Sequence, residues 1–306
     1  MTTAIVCAYS PIGREALAGL LDIGVEILAL YTYPQKPGES WFTPPATIAN
    51  KFGIPIFMES NFNENHVYNR IKSVKLDFLF SFYFREMIQT RFLRLPLLGA
   101  YNIHGSLLPK YRGQNPINWV ILKGEKQTGI TMHAMTSKPD EGDIFGQITL
   151  PIAWDETALS LTQRSATASR ELVHLTIPKL IDGHADSVSQ KSLGTSTYFG
   201  GRKPEDGILN LDCSAEIAFN LIRAVADPWP NAFFKTHKGI VKVSWALPTT
   251  AFCPTGCFRE TKDGVVVGFN DSSLRIHTLR KDDISSECPI EHANWLRWLG
   301  LPQTNL

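Results

Sequence analysis

The chain has 306 residues, of which 43% are hydrophobic and 19% are charged, and its formal net charge is +1. This length exceeds what one hydrophobic core usually spans, so the sequence predicts two domains. The near-neutral charge excludes a strong electrostatic field for binding nucleic acid or a membrane surface. The hydrophobic fraction is that of an ordered globular protein rather than of a disordered chain.

The five cysteines are few and widely spaced, which is typical of a reducing compartment rather than of a disulfide framework. Cys253 and Cys257 form one close pair. Together with His277, Cys288 and His292 they leave a zinc site open, although isolated thiols at strand ends are the simpler interpretation. The N-terminus has no basic segment before its short apolar run, and no apolar run reaches about eighteen residues. We therefore expect a cytoplasmic protein with no membrane span and no bound metal.

Short apolar strands alternate with helical patterns over the first hundred residues. The predicted strands are 4–9, 25–33, 54–57, 77–82 and 100–103, with helices near 16–23, before 51 and over 64–74. This alternation predicts right-handed crossovers and an α/β fold, with a Rossmann-like, mostly parallel sheet and helices on both faces. The turn after the first strand lacks the glycine pattern that holds a dinucleotide pyrophosphate, which argues against a nicotinamide cofactor.

Two further strands, 129–135 and 146–152, are followed by a long predicted helix over 158–180. Near residue 192 the chain becomes rich in Gly, Ser and Thr. We therefore place a linker at 192–204, between a catalytic domain at 1–191 and a C-terminal domain at 205–306. After a helix over 214–224, the second domain has short strands with turn signals, which predicts a small OB-like β-barrel. These strands are 232–236, 240–245, 264–269 and 274–279, with a closing helix at 292–299.

Polar side chains gather where two predicted strands end. Asn102 and His104 lie two residues apart at the carboxyl end of a strand, so both side chains point to one face of the sheet. Asp140 lies in a second loop, which also follows a strand. Because ligands of open α/β sheets bind beyond the carboxyl ends of the strands, we expect these three residues to converge on one site.

These three residue types suit acyl transfer by direct displacement. A histidine exchanges protons near neutral pH, a nearby carboxylate favours its protonated form, and an amide donates to an oxygen that gains charge. No Ser or Cys nucleophile is needed, so the attacking group comes from the substrate. Taken singly, His104 can also be read as a structural residue at a strand end, and Asn102 and Asp140 as turn residues. The other seven histidines lie in no motif and receive no role.

The sequence also carries a family resemblance. The run Asn102-Ile-His-Gly-Ser-Leu-Leu-Pro-Lys-Tyr-Arg-Gly113, with Asp140-x-Gly-Asp-Ile144 after it, resembles the signature of the 10-formyltetrahydrofolate-dependent formyltransferases. Residues 222–230 (IRAVADPWP) resemble the opening of that family's C-terminal barrel. Within the family, the likeness is strongest to nucleotide-sugar N-formyltransferases, such as the formyltransferase half of the bifunctional polymyxin-resistance enzyme. That enzyme acts on UDP-4-amino-4-deoxy-L-arabinose. Gln114 stands where this relative has an arginine near the folate.

The resemblance implies a role for each motif residue. His104 would be the general acid and base, Asn102 would stabilise the developing oxyanion, and Asp140 would tune His104. The formyl donor, 10-formyltetrahydrofolate, would lie against two segments. These are Glu86, Met87 and Ile88, and the loop Thr136, Ser137, Lys138, Pro139 and Asp140. Lys110 and Arg112 are candidates for binding the phosphates of the acceptor, although Arg112 suits a loop-stabilising role equally well.

The resemblance leaves the acceptor amine to be chosen, and charge favours a nucleotide-linked aminosugar destined for a cell-surface polysaccharide or lipid. The alternative is a methionyl-tRNA formyltransferase, but binding tRNA requires basic surfaces. The loop 34–45 has one Lys and one Glu, and residues 201–306 have twelve basic and twelve acidic residues. Nucleic acid is therefore an improbable partner. A non-catalytic folate-binding module, a formate-releasing hydrolase and a homo-oligomer also stay open.

Overall fold

The computed structural model describes residues 1–237 and 239–281, and the chain divides into two compact units. Unit 1 comprises Met1–Pro116, Gln127–Ile152 and Ser160–Gly200. Its strands are β1 (Thr3–Ala8), β2 (Glu26–Tyr31), β3 (Ile56–Phe57), β4 (Phe78–Phe82), β5 (Gly99–His104), β6 (Arg112–Gly113), β7 (Gln127–Ala134), β8 (Ile144–Pro151) and β9 (Tyr198–Phe199). Its helices are α1 (Ser10–Asp22), α2 (Pro45–Lys51), α3 (Asn65–Lys72) and α4 (Thr90–Leu93), while α5 (Pro116–Leu122) starts at its edge and α6 (Ala158–Ile181) continues into it.

Seven strands of unit 1 form one sheet in the order β3-β2-β1-β4-β5-β7-β8. The strands β1 to β5 pair in parallel, and β4 reads FLFSF with all of its residues buried. Such a continuous apolar run is what a strand covered on both faces requires. The order reverses between β1 and β4, which is how an open doubly wound sheet is built. The predicted fold class of a mostly parallel sheet with helices is confirmed.

The last two strands of this sheet, β7 and β8, run antiparallel to their neighbours. The chain between them is only the loop that carries Asp140, which is too short for a crossover connection, so the two strands must form a hairpin. Strand β7 also pairs antiparallel with β5, after a longer connection that contains β6 and α5. The register places Asn102 opposite His133 and His104 opposite Thr131, on one face of the sheet.

Unit 2 comprises Ile117–Lys126, Ala153–Leu159 and the chain from Gly201 onward. Its strands β10 (Ala232–Thr236), β11 (Gly239–Thr249), β12 (Phe258–Thr261), β13 (Gly264–Gly268) and β14 (Ser273–Lys281) form an antiparallel sheet in the order β10-β11-β14-β13-β12. The predicted C-terminal β domain is thus present. The predicted helix at 292–299 and the residues Cys288 and His292 lie outside the described residues.

Helix α7 (Ala215–Ala224) begins after Ser214, whose hydroxyl accepts a hydrogen bond from Ile217 N at 3.2 Å. It carries the buried Arg223, whose guanidinium donates to Asn220 Oδ1 at 2.9 Å and to the carbonyl of Glu156 at 3.1 Å. A buried cation is tolerated only when its N–H groups are satisfied in this way. The arginine of the 222–230 motif therefore holds unit 2 together.

The segment before unit 2 is tied to unit 1 by backbone pairing. Strand β9 pairs in parallel with β6, and Gly200 is the last residue of unit 1. The linker at 192–204 and the domain bounds around it stay predictions. Among the described residues, no helix is both long enough and apolar enough to cross a membrane.

Candidate active site

The three predicted catalytic residues lie together at the carboxyl end of β5. Asp140 Oδ1 is 3.5 Å from His104 Nδ1 and 3.5 Å from Asn102 Nδ2. Asn102 and His104 occupy alternate positions of β5, and Asp140 comes from the loop between β7 and β8. The fold thus brings a proton-exchanging group, an amide and a carboxylate to one place.

Asp140 is held in an uncommon conformation. Its φ is 54°, in the left-handed region that few non-glycine residues adopt. Its Oδ2 accepts a hydrogen bond from Gly113 N at 2.9 Å, and its backbone carbonyl accepts one from Gln190 Nε2 at 2.8 Å. Strained residues of this kind cluster at functional sites, because the surrounding contacts must compensate for their cost of about 1–3 kcal/mol.

His104 is buried, and its tautomer follows from its contacts. Nε2 lies 2.7 Å from the carbonyl oxygen of Tyr111, which can only accept, so Nε2 carries a hydrogen. The nitrogen left to exchange a proton is therefore Nδ1, which faces Asp140. An imidazolium would donate at both nitrogens, to Tyr111 and to Asp140.

The titration of the pair reflects burial and mutual attraction. Burial lowers the pKa of His104 below its usual value, the Asp140 carboxylate and the Tyr111 carbonyl act to raise it, and His133 acts to lower it. Although burial opposes it, the pKa of Asp140 is well below its usual range because of His104, His133 and the Gly113 N–H. Asp140 is thus ionised throughout the neutral range, while the net pKa shift of His104 is downward.

His133, to which the sequence analysis gave no role, belongs to the same cluster. It is 2% exposed, and its Nε2 lies 3.0 Å from Asn102 Nδ2 and 3.4 Å from Asp140 Oδ1. The signal in the sequence that could have found His133 is the period-two alternation of side chains along a strand. His133 lies near the end of the strand that leads to Asp140, and its side chain shares a face with Thr131. Which strand would lie opposite was not readable from the sequence.

Gln190 braces the Asp140 loop from a distant part of the chain. Its Oε1 accepts from Arg112 Nε at 3.1 Å and from Arg112 Nη2 at 2.7 Å. Its Nε2 donates to the carbonyls of Asp140 at 2.8 Å and Gly142 at 2.7 Å. Arg112 Nη1 also lies 3.6 Å from Glu141 Oε1. The guanidinium of Arg112 is thus engaged within the protein.

The other predicted binding residues differ in exposure and in the contacts that they make. Met87 is exposed and Ile88 is buried, and neither of their backbone N–H groups donates a hydrogen bond within the described chain. The Glu86 carboxylate accepts from Tyr33 Oη at 3.1 Å and from Phe62 N at 2.9 Å. The remaining predicted residues are Thr136, Ser137, Lys138 and Lys110, which are exposed, Pro139, which is half-buried, and Gln114, which is exposed.

A tyrosine also lies beside the site under strain. Tyr83 follows β4 with φ 59°, and its buried hydroxyl makes no hydrogen bond to any described residue. Burial and the field of Asp140 both raise the pKa of Tyr83. A Cβ added to Gly105 would lie 1.8 Å from the Tyr83 hydroxyl oxygen, so only glycine fits there. The residue after His104 is therefore fixed by this close approach.

No group of three or more His, Cys, Asp or Glu side chains within 1–237 and 239–281 is arranged to hold a metal ion. Cys253 Sγ instead contacts the carbonyl oxygen of Cys257 at 3.3 Å.

Comparison with known families gives two matches. Residues 21–177 match the formyl transferase family, and residues 202–289 match the formyl transferase C-terminal domain. The first match alone covers about half of the chain. It includes Asn102, His104, His133 and Asp140, whereas Gln190 lies beyond it.

Solved structures share the fold. The N-formyltransferase of Helicobacter canadensis, in complex with folinic acid and dTDP-3-aminofucose, is 20% identical, with a TM-score of 0.69 over 90% of this chain and 99% of that one. The sugar 3N-formyltransferase WlaRD, with dTDP and 5-N-formyl-THF, is 20% identical, with a TM-score of 0.67 over 93% and 99% of the two chains. HypX from Aquifex aeolicus, in complex with tetrahydrofolic acid, is 15% identical, with a TM-score of 0.66 over 98% of this chain and 48% of HypX.

Proposed function

The chain belongs to the formyl transferase family, and from this premise we propose that it transfers the formyl group of 10-formyltetrahydrofolate to the amine of a nucleotide-linked aminosugar. The observation that carries the proposal is the meeting of Asn102, His104 and Asp140 within 3.5 Å. Two structurally similar proteins are sugar N-formyltransferases with dTDP or a dTDP-sugar and a formyl-folate. UDP-4-amino-4-deoxy-L-arabinose is the acceptor that we propose to test first.

In this mechanism, His104 moves the proton. Because Nε2 donates to the Tyr111 carbonyl, Nδ1 takes the proton that the acceptor amine must lose and returns it to the departing nitrogen. Asp140, 3.5 Å away, stabilises the imidazolium between these two transfers. One histidine therefore serves as base and then as acid.

Asn102 supplies the electrostatic part of the mechanism. Its amide nitrogen donates a hydrogen bond to the formyl oxygen, on which negative charge grows during attack. Removing a donor of this kind typically costs about 3 kcal/mol, or roughly a hundredfold or more in turnover. Asn102 stands on a strand rather than on a loop, so its backbone is held on both sides, by β4 and by β7.

The residues around the cluster fit a folate donor, which supplies the activated formyl group. A pterin ring can accept hydrogen bonds from backbone groups, and the Met87 and Ile88 N–H groups donate to no described protein acceptor. Thr136, Ser137 and Lys138 are exposed and lead to Asp140. We propose these two segments as the donor site.

Among the cations near His104, Lys110 suits the acceptor phosphates best. Its side chain is exposed, whereas Arg112 is engaged by Gln190 and lies near Glu141. We therefore propose Lys110 as a phosphate contact and Arg112 as a residue that stabilises the loop.

The test is a product assay. Purified protein is incubated with 10-formyltetrahydrofolate and a panel of UDP- and dTDP-linked aminosugars, with charged initiator tRNA as a separate acceptor. N-formyl products are identified by mass spectrometry. Reactions without donor and with His104→Ala are the controls. Formylation of a nucleotide aminosugar is expected. Formylation of the tRNA alone would replace this proposal with the methionyl-tRNA formyltransferase.

A further inference from the structure

His133 is a buried histidine that the mechanism above leaves without a task. It lies on β7 directly opposite Asn102, so the two side chains meet across the strand pair. Asn102 Nδ2 is 3.0 Å from His133 Nε2, the shortest contact that the amide makes in the cluster.

The hydrogen positions follow from the neighbouring groups. His133 Nδ1 lies 2.8 Å from the carbonyl of Ala134, which can only accept, so Nδ1 carries a hydrogen. The neutral ring then has a bare Nε2 that can only accept. In this tautomer, the atom that it faces on Asn102 is the amide nitrogen, so the hydrogen-bond network assigns this orientation to the amide.

The amide nitrogen has two hydrogens, and His133 holds one of them. The other is directed to the side of Asp140 Oδ1, which is 3.5 Å from Asn102 Nδ2, longer than a normal N–H···O bond. His104 Nδ1 faces the same carboxylate oxygen at 3.5 Å. The second amide hydrogen is thus weakly bound and points to where the proton-exchanging nitrogen lies.

We propose that His133 is a positioning residue that holds one N–H of Asn102 so that the other is aimed at the formyl oxygen. This inference rests on the proposed function. A free asparagine amide has two orientations about its last torsion, and only one of them presents a donor. Hydrogen bonding to Nε2 selects that orientation before the substrate arrives, which is the preorganisation that electrostatic catalysis requires.

A role through charge is the competing explanation, because His133 Nε2 is also 3.4 Å from Asp140 Oδ1. The ionisable groups that face His133 are Asp140, from the β7–β8 loop, and His104, from β5. A charge role acts through Asp140 and His104, so it would persist when Asn102 is replaced. A positioning role acts only through Asn102 and would disappear with it.

The first experiment compares two replacements. His133→Phe removes the acceptor but keeps a planar ring, and a loss of about 10- to 100-fold in kcat with KM within about threefold is expected. His133→Gln places an amide oxygen near the Nε2 position, and recovery of most of that loss is expected. Thermal melting of both variants checks folding. The control is His174→Phe, which removes an exposed histidine that pairs with Asp22 on a different face.

The second experiment is a double-mutant cycle with Asn102→Ala. If His133 acts only through Asn102, His133→Phe should change kcat by less than about threefold in the Asn102→Ala background. Equal losses in both backgrounds, or equal losses in the Phe and Gln variants, would each overturn the proposal. So would wild-type kcat in a folded His133→Phe protein.

A readout without turnover separates this inference from the proposed function. ¹⁵N chemical shifts of the histidine rings should show His133 with its hydrogen on Nδ1, and the Asn102 side-chain amide resonance should move in His133→Phe. An Nε2–H tautomer would refute the inference whatever the substrate is. Absence of formyl transfer by the wild-type protein, with the Nδ1–H tautomer present, would refute the proposed function alone.

Discussion

Gln190 offers a quantitative test of how the Asp140 loop is held. It is 2% exposed and joins Arg112 to the carbonyls of Asp140 and Gly142. The two contacts with the guanidinium are charge-assisted and together contribute about 1.5–3 kcal/mol, and each amide-to-carbonyl bond contributes about 1 kcal/mol. Gln190→Ala should therefore lower the free energy of unfolding by about 3.5–5 kcal/mol, a large part of the stability of an ordinary domain.

Gln190→Glu separates the contacts with Arg112 from the hydrogen bonds to the two carbonyls. A carboxylate keeps the acceptor for Arg112 but cannot donate to the two carbonyls, so the ties to the Asp140 loop are lost selectively. We expect this variant to lose turnover by about 10- to 100-fold, because a displacement of about 1 Å at a catalytic group has effects of that size.

The assay is urea unfolding followed by fluorescence, together with steady-state turnover of each folded variant. Gln163→Ala, on the exposed face of α6, is the matched control and should be neutral. If Gln190→Ala unfolds within about 0.5 kcal/mol of wild type, the network does not stabilise the loop. Wild-type turnover in Gln190→Glu would mean that β7 and β8, which flank the loop, are enough to position Asp140.

Four further outcomes are expected. Asp140→Asn removes the carboxylate that raises the pKa of His104 and leaves only the Tyr111 carbonyl to oppose burial, so the acidic limb of the pH–rate profile should move to lower pH; an unmoved limb would leave Asp140 a purely structural role. Gly105→Ala should destabilise the protein by about 1–3 kcal/mol because its Cβ meets the Tyr83 hydroxyl, while Gly200→Ala, with open space, should not. Tyr83→Phe should partly suppress that loss and should not itself destabilise, since the hydroxyl it removes has no partner among the described residues; a lower melting temperature for Tyr83→Phe would contradict this. The full chain should retain tRNA on filters weakly at physiological salt, because the acidic and basic residues of its C-terminal domain balance; tight retention would revive tRNA as the acceptor.

Much of the fold was readable because it depends on local pattern. The apolar run of β4 and the alternation of strands with helices follow from burial on both faces of a parallel sheet, which leaves a continuous hydrophobic signal. Asn102 and His104 could be assigned to one face because a strand alternates with a period of two. Their place at a strand end indicated a site, and the long motif that contains them indicated the family.

The tertiary structure decided what depends on pairing between distant segments. The antiparallel return of β7 sets the register that places His133 opposite Asn102, and no local pattern in either strand encodes which strand lies beside which. Gln190 is fifty residues from Asp140 in the sequence. Its hydrogen bond to the Asp140 carbonyl, which holds the loop, exists only in the folded chain. The sequence by itself determined the chemistry of the site, since that resides in residue types. The folded chain determined the orientation and protonation of those residues, since both depend on which groups lie within hydrogen-bonding distance.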